Sequence, residues 1–381
     1  MKLMREVVIV EACRTAVGRR GGALKDYRSD DLLADVLEEL MTRSGVRKSL
    51  VDDVIIGSVT QTGEQAMNVA RDALLIAGFP VSVPGVTIDR QCGSSQQAVH
   101  FGAQAILAGD MEVVIAGGVE SMSRSPMFSN VGETKPSPRL TNRYEIVNQG
   151  ISAEMIAEKW DFTRRELDEF SLESHKKALK AIKEGYFNRE IVSVVTGEGV
   201  FARDEGPRED TSIEALKGLR PVFKEDGLIT AGNASQMSDG ASAVLLMSME
   251  KAEELGLKPK AKIVSRIALG SDPTLMLTGP IEATKRALEK AHLTIEDIDL
   301  YEVNEAFAPV PLAWLEEIGA KEEKLNVNGG AIALGHPLGA TGTKLLTSLL
   351  FELERRKVRY GLLAICEGMG MANATIIKRL D

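Results

Sequence analysis

Cys92, His336 and Cys366 have the residue types and settings that nucleophilic chemistry needs. Cys92 stands in D-R-Q-C-G-S-S-Q-Q-A, after the apolar stretch V-P-G-V-T-I and before a helical segment. A helix N-terminus offers unpaired N–H groups and a positive dipole end, so the sequence predicts a lowered thiol pKa there. The plain alternative is a structural cysteine, because free cysteine is among the most buried residue types. His336 lies in the glycine-rich run N-G-G-A-I-A-L-G-H-P-L-G-A-T-G, and the following Pro337 suits a first helical turn. Its imidazole is therefore expected at a helix start. His100, His175 and His292 sit inside helical segments and are read as structural or solvated. Cys366 ends a strand in L-L-A-I-C-E-G-M-G-M-A, and Gly368 and Gly370 free the following backbone N–H groups to meet a substrate oxygen. Cys13, within V-I-V-E-A-C-R-T, is read as core.

An internal repeat shifts the balance between the two readings of Cys92 toward the nucleophile. V-D-D-V-I-I-G-S-V at 51–59 and I-E-D-I-D-L-Y-E-V at 295–303 are offset by 244 residues (295 − 51), and the same offset carries Cys92 onto His336. Ile88 maps to Ile332, Phe101 to Leu345, Ala105 to Leu349 and Ile106 to Leu350, apolar in both copies. Two like-folded copies related by a pseudo-twofold can bring their equivalent strand-to-helix junctions face to face. That arrangement sets a nucleophile beside a base. Asn304 directly follows the repeated strand and matches Thr60, at the strand end where open α/β sheets place ligands.

The elements that must position these residues follow from the pattern. Apolar runs at Val7–Val10, Val54–Ile56, Val113–Ala116, Lys262–Val264 and Leu362–Cys366 alternate with helical segments at Asp31–Ser44, Ser94–Ala108, Ile281–Ala291 and Gly342–Arg355. This is the rhythm of an α/β fold with strands covered by helices. Ser121 to about Gln236 breaks it, with more polar residues, proline and charge, and two helical stretches near Ala153–Trp160 and Arg164–Glu184. It reads as an insertion between the last strands of the first repeat. Within it, S-P-M-F-S-N-V-G-E-T-K-P-S-P-R is expected to be an exposed excursion without regular structure, suited to an oligomer contact.

Bulk properties narrow the classes. The chain has 381 residues, 44% of them hydrophobic and 27% charged, enough for two or three domains and a large core. A net charge of −9 argues against a nucleic-acid partner, which needs a basic face. No apolar run is long enough to span a bilayer, and M-K-L-M-R-E-V-V-I-V enters a strand rather than a secretory leader, so a cytoplasmic location is expected. Three scattered cysteines make neither a disulfide framework nor a zinc site.

Four segments together resemble the thiolase family of acyl-CoA C-acyltransferases: the Cys92 segment, N-E-A-F at 304–307, G-H-P-L-G-A-T-G at 335–342 and C-x-G-x-G at 366–370. They occur in thiolase order, and the similarity covers essentially the whole chain. The resemblance implies a duplicated βαβαβαββ fold layered α-β-α-β-α, with repeats at 1–121 plus 237–260 and at 261–381 flanking an inserted loop domain at 122–236. It implies that Cys92 carries the acyl group, His336 deprotonates it and Cys366 shuttles the proton at the substrate α-carbon. One oxyanion hole would use His336 and a water held by Asn304, the other the backbone N–H groups of Cys92 and Gly368. Coenzyme A, a substrate rather than a cofactor, would be held by Arg208, Phe223 and Ser235 of the insertion, with Met276 and Phe307 as further contacts. No metal or redox cofactor is implied. The expected activity is thiolysis of 3-oxoacyl-CoA and the reverse Claisen condensation, in fatty acid metabolism, by a homodimer or homotetramer.

The match departs from the family at three points. Asn148-Gln149-Gly150 stands where acetoacetyl-CoA enzymes usually show His-Met-Gly, which favours a broad substrate range over a dedicated acetoacetyl-CoA thiolase. Glu367 follows Cys366 in place of a small apolar residue, and Ser95 replaces a common glycine. Glu367 either raises the neighbouring thiol's pKa by like charge or turns away into a salt bridge. Ketoacyl synthases share the fold but lack a second catalytic cysteine, and a silent acyl-CoA carrier would have lost part of the Cys92, Asn304, His336, Cys366 set.

Overall fold

The computed structural model describes residues 5–380. The first repeat supplies strands β1 (Val7–Thr15), β2 (Asp53–Gly57), β3 (Gly85–Ile88) and β4 (Val113–Ser121), with helices α1 (Ser29–Ser44), α2 (Val69–Ile76) and α3 (Ser94–Ala108). The chain then leaves the sheet for the insertion, whose main helices are α4 (Gln149–Lys159) and α5 (Arg164–Lys183), and returns as β5 (Ser238–Ser248). The second repeat supplies β6 (Ala261–Gly270), helix α6 (Gly279–Ala291), β7 (Leu300–Val303), helices α7 (Pro309–Ile318) and α8 (Thr341–Arg356), and strands β8 (Tyr360–Glu367) and β9 (Met371–Arg379). Helix bounds lie within a few residues of the expected ones; the strands run longer, because ladder pairing extends beyond the apolar run that announces them.

These strands lie in the order β7-β8-β9-β6-β1-β5-β4-β2-β3. Outward from the β6/β1 seam, both halves run antiparallel, antiparallel, then parallel. A parallel bridge from Tyr301 to Leu325 marks the place in the second half that β3 occupies in the first. The seam is held by two residue pairs, Val8 with Lys262 and Ile9 with Ala261. So weak a junction lets the halves fold toward each other around α3 and α8. Buried apolar clusters fill three spaces: between α1, α2 and the first half, between α6, α7 and the second, and around the central α3 and α8. The layers are therefore α-β-α-β-α. Glycine is required where the central helices touch: a Cβ on Gly342 would collide with the backbone of Gln96. Ser95 accepts the N–H of Thr343 through its hydroxyl at 3.0 Å, giving its departure from glycine a structural use.

The insertion is more ordered than a loop. Besides α4 and α5 it forms a hairpin of Val194–Thr196 with Gly199–Phe201 and a short helix Ile213–Lys217. Thr163 and Glu166 close a capping box at the start of α5. Buried Arg14 ties the insertion to β1, with Nε on Glu190 at 2.6 Å and two nitrogens on Asp204 at 2.7 and 3.0 Å. The proline-rich excursion is largely exposed, as expected, but ends in a short helix, Pro138–Thr141, capped by Ser137.

Candidate active site

Cys92 and His336 precede equivalent helical runs, but Cys92 follows the strand Gly85–Ile88 whereas His336 follows a short helix, Ala331–Leu334, so the expected strand-to-helix junction is met only at Cys92. Cys92 stands two residues before α3; a 3-10 turn Leu338–Ala340 runs into α8, so the helical run after His336 also begins two residues on. His336 thus precedes a 3-10 turn rather than the first turn of an α-helix, and Pro337 stands just before that turn. Gln91 turns the chain into the Cys92 junction with a left-handed φ of 49°, and Ser94 Oγ accepts the N–H of Arg90 at 2.9 Å.

The His336 loop crosses from the second half onto the first over glycines. A Cβ on Gly118 would meet the backbone of Gly339 and lie 2.9 Å from Ala340 Cα, and one on Gly339 would lie 2.7 Å from Gly57 O. Buried Glu120 fixes the crossing by accepting the N–H groups of Val59 at 2.9 Å, Thr60 at 3.0 Å and Gly339 at 2.8 Å, and Nε2 of Gln65 at 2.9 Å. Glu305 of N-E-A-F does the same for the preceding segment, binding Asn326 at 2.9 Å, Ser174 at 2.7 Å and the N–H of Ile332 at 3.1 Å.

The hydrogen bonds around His336 fix its tautomer. Thr341 Oγ1 donates its one proton to Pro337 O at 2.8 Å, so at 2.6 Å from His336 Nδ1 it accepts, and Nδ1 carries the ring proton. Nε2 then holds a lone pair, is buried and has no partner. Burial, with Lys344 adding a smaller repulsion, pushes the imidazole pKa down to about 3. The ring is a neutral base at pH 7.

For Cys92 the expected lowering of pKa is corrected. Burial pushes the thiol up to about 12, with Glu367 adding to the rise in its ionised form, against smaller lowering by its own N–H and that of Gly368. The dipole argument fails because the sulfur is removed from water, a larger effect than two backbone donors. Burial holds both groups toward their uncharged forms, a thiol and a neutral imidazole. Cys366 is likewise held well above the usual thiol range, first by burial and then by Cys92.

Both thiols and His336 line one cavity of about 210 Å³. Phe223 and Phe307 also line it, packed edge to face at 5.9 Å, as does Ser235. Asn304 lies buried at the end of β7 with both side-chain amide atoms unpartnered, as a residue that holds a water or substrate oxygen requires. Arg208 lines a neighbouring cavity of about 170 Å³ instead, where its N–H donates to His175 Nδ1 at 3.1 Å. Gln236 lines both cavities, so they are neighbours. Met276 is buried outside the thiol cavity, with Leu277 on the wall, because a left-handed φ of 46° at Met276 turns the chain there. Gln149 faces the cavity, whereas Asn148 caps α4 by accepting the N–H of Gly150 at 2.9 Å. Sequence reasoning missed Met127, which reaches the cavity from the excursion, and His175, whose helical setting conceals its approach to Arg208.

The chain matches the descriptions "Thiolase, N-terminal domain" over residues 7–250 and "Thiolase, C-terminal domain" over 257–379. It belongs to the thiolase family and is an acyltransferase. It is 52% identical to a steroid 3-ketoacyl-CoA thiolase of Mycobacterium tuberculosis, over 99% of this chain and 95% of that one. It is 44% identical to a 3-ketoacyl-CoA thiolase of Bacillus subtilis, over 98% of this chain and all of that one. The crystal structure of the Bacillus anthracis acetyl-CoA acetyltransferase superposes with a TM-score of 0.92 at 43% identity, covering 99% of each chain.

Proposed function

We propose that Cys92 is acylated by 3-oxoacyl-CoA, with His336 and Cys366 moving the protons. The observation that carries this is the single cavity walled by two thiols and by a histidine whose unpartnered Nε2 holds a lone pair. Cys92 Sγ attacks the 3-oxo carbon as Nε2 takes its proton. The C2–C3 bond breaks, the Cys366 thiol protonates C2, and acetyl-CoA leaves with the remaining acyl group on Cys92. Free CoA, deprotonated by the Cys366 thiolate, attacks that thioester, and the imidazolium returns its proton to Cys92. Run backwards, the steps make the carbon–carbon bond. Asn304 with His336, and the N–H groups of Cys92 and Gly368, face the two oxyanions, where losing one donor costs about 10²- to 10³-fold in rate.

Phe223, Ser235 and Phe307 are assigned to the pantetheine arm and Arg208 to the far end of CoA, in keeping with their division between two neighbouring cavities. The substrate range is read as broad. Gln149, with Met122, Met127 and Met237, gives that wall flexible side chains that adapt to differing acyl groups, and the name of the mycobacterial relative speaks of a bulky one. Exposed Met67, Val81 and Val86 near edge strand β3, with Phe128 on the excursion, support a homodimer or homotetramer. No helix among the described residues is long and apolar enough to cross a membrane. We place the enzyme in the cytoplasm, where CoA is available and its three free cysteines stay reduced.

Intact-protein mass spectrometry after incubation with 3-oxooctanoyl-CoA, free CoA withheld, tests the reading. A hexanoyl increment mapping to Cys92 is expected. Acetylation of Cys92 by acetoacetyl-CoA alone would establish a dedicated short-chain enzyme, and no adduct from either would leave a silent carrier.

A further inference from the structure

The strand that delivers Cys366 ends one residue later at Glu367, whose side chain is fully buried. It lies against Gly93, the residue after Cys92. A Cβ built on Gly93 would overlap Glu367 Oε1 and lie 2.6 Å from its Cδ. The side chain following one thiol thus fills the side-chain space of the residue following the other. Asn373 on β9, its amide turned to suit both neighbours, donates to Glu367 Oε1 at 3.2 Å and accepts the N–H of Gln97 on α3 at 3.3 Å. Glu367 Oε2 has no partner. The charges that face the carboxyl are Arg90 and Asp89, opposite in sign, on the loop before Cys92. No ion pair reaches it among the described residues, so the salt bridge considered from sequence does not form.

We propose that Glu367 is a positioning residue for the nucleophile: as an uncharged carboxylic acid wedged on Gly93, it sets the Cys92 loop and leaves the thiol's ionisation unopposed. An anion beside two buried thiols would resist the thiolate that acyl transfer must form. A proton on the otherwise unpartnered Oε2 removes that resistance. In agreement, burial above all raises the Glu367 pKa to about 9. Below that pH the like-charge effect on Cys92 is absent; above it, the carboxylate opposes thiolate formation.

The inference rests on Cys92 being the acylated residue, and its test separates the two. Wild type, G93A, E367A, the double variant G93A/E367A and E367Q are compared by acyl loading from 3-oxooctanoyl-CoA and by iodoacetamide alkylation of Cys92, read by peptide mass spectrometry. G93A is expected to lower Cys92 loading about tenfold, and E367A in the same protein to restore most of it, a coupling that neighbours sharing one volume must show. E367Q, neutral at every pH, is expected to increase alkylation between about pH 8 and pH 10 about threefold more steeply than wild type. A merely structural carboxyl would not move that ratio. A harmless G93A, a double variant no better than G93A, or an E367Q profile overlaying wild type would each overturn the proposal. If G93A does not fold, the E367Q profile decides alone. If wild-type Cys92 takes no acyl group, the function reading fails, while alkylation still reports on Gly93 and Glu367.

Discussion

Replacing Glu120 by alanine removes the acceptor that joins the two halves of the site. Glu120 is fully buried, and its Oε2 binds the N–H groups of Val59 at 2.9 Å and Gly339 at 2.8 Å, while Oε1 binds the N–H of Thr60 at 3.0 Å and Gln65 at 2.9 Å. Gln65 keeps a second acceptor in Thr60 O at 2.8 Å, but the three backbone donors have no other acceptor among the described residues. A buried donor left without a partner costs about 1–3 kcal/mol, so the three together put the E120A loss at about 3 kcal/mol or more, less whatever water restores. Gly339 lies three residues beyond His336, and freeing its N–H releases the loop that aims Nε2. A displacement of about 1 Å is enough to cost about 10²-fold in rate. Urea unfolding at constant m-value measures the first effect and kcat for 3-oxoacyl-CoA cleavage the second. A loss below about 1 kcal/mol with kcat within about twofold of wild type would refute the assignment of Glu120 as the anchor.

Three further outcomes follow from the same geometry. G118V drives a side chain into the backbone of Gly339 and should reduce acyl loading of Cys92 about 10²-fold in a protein that still shows its native circular dichroism; normal loading would show that the loop can yield. Arg14→Met strands Glu190 and Asp204 without their cation and should cost about 3–5 kcal/mol by thermal or urea unfolding; an unchanged stability would mean that the carboxylates are satisfied elsewhere. His100 and His336 are both buried with pKa values near 3, below the ordinary 6.5, so the unfolded chain binds their protons first. Their contribution is present above pH 6.5 and is lost as pH falls toward 3. H100Q should therefore flatten the acid limb by about 1.4 kcal/mol per pH unit over that window, and superimposable limbs would contradict it.

How far the site was legible depends on whether its cause is local. The 244-residue offset predicted that Cys92 and His336 stand at like junctions; the helical runs from Ser94 and Leu338 keep that register, whereas the segment before His336 is a short helix where the first copy has a strand. Periodicity gave Ser94–Ala108 to the residue, since Gly109 in a left-handed conformation stops the helix. The environment of the thiol did not follow from the same segment. A helix start is visible in sequence, but the burial that outweighs its dipole is completed by residues such as Leu338 and Cys366, which share the thiol's cavity from over 200 positions away. Met276 off the cavity and Arg208 in a second cavity are of the same kind, set by where the chain turns rather than by motif.

The sequence by itself determined the chemical inventory and its symmetry: two thiols, an imidazole and an amide on two copies of one α/β unit, because local pattern and repeat spacing are written along the chain. Only the tertiary structure decided which proton each group holds. The ring proton of His336 is fixed by Thr341, the Cys92 thiol is kept protonated by burial, and Glu367 finds its place on Gly93 rather than on a cation. Protonation depends on solvent exclusion and on partners brought together across the β6/β1 seam, and neither is a property of any contiguous segment.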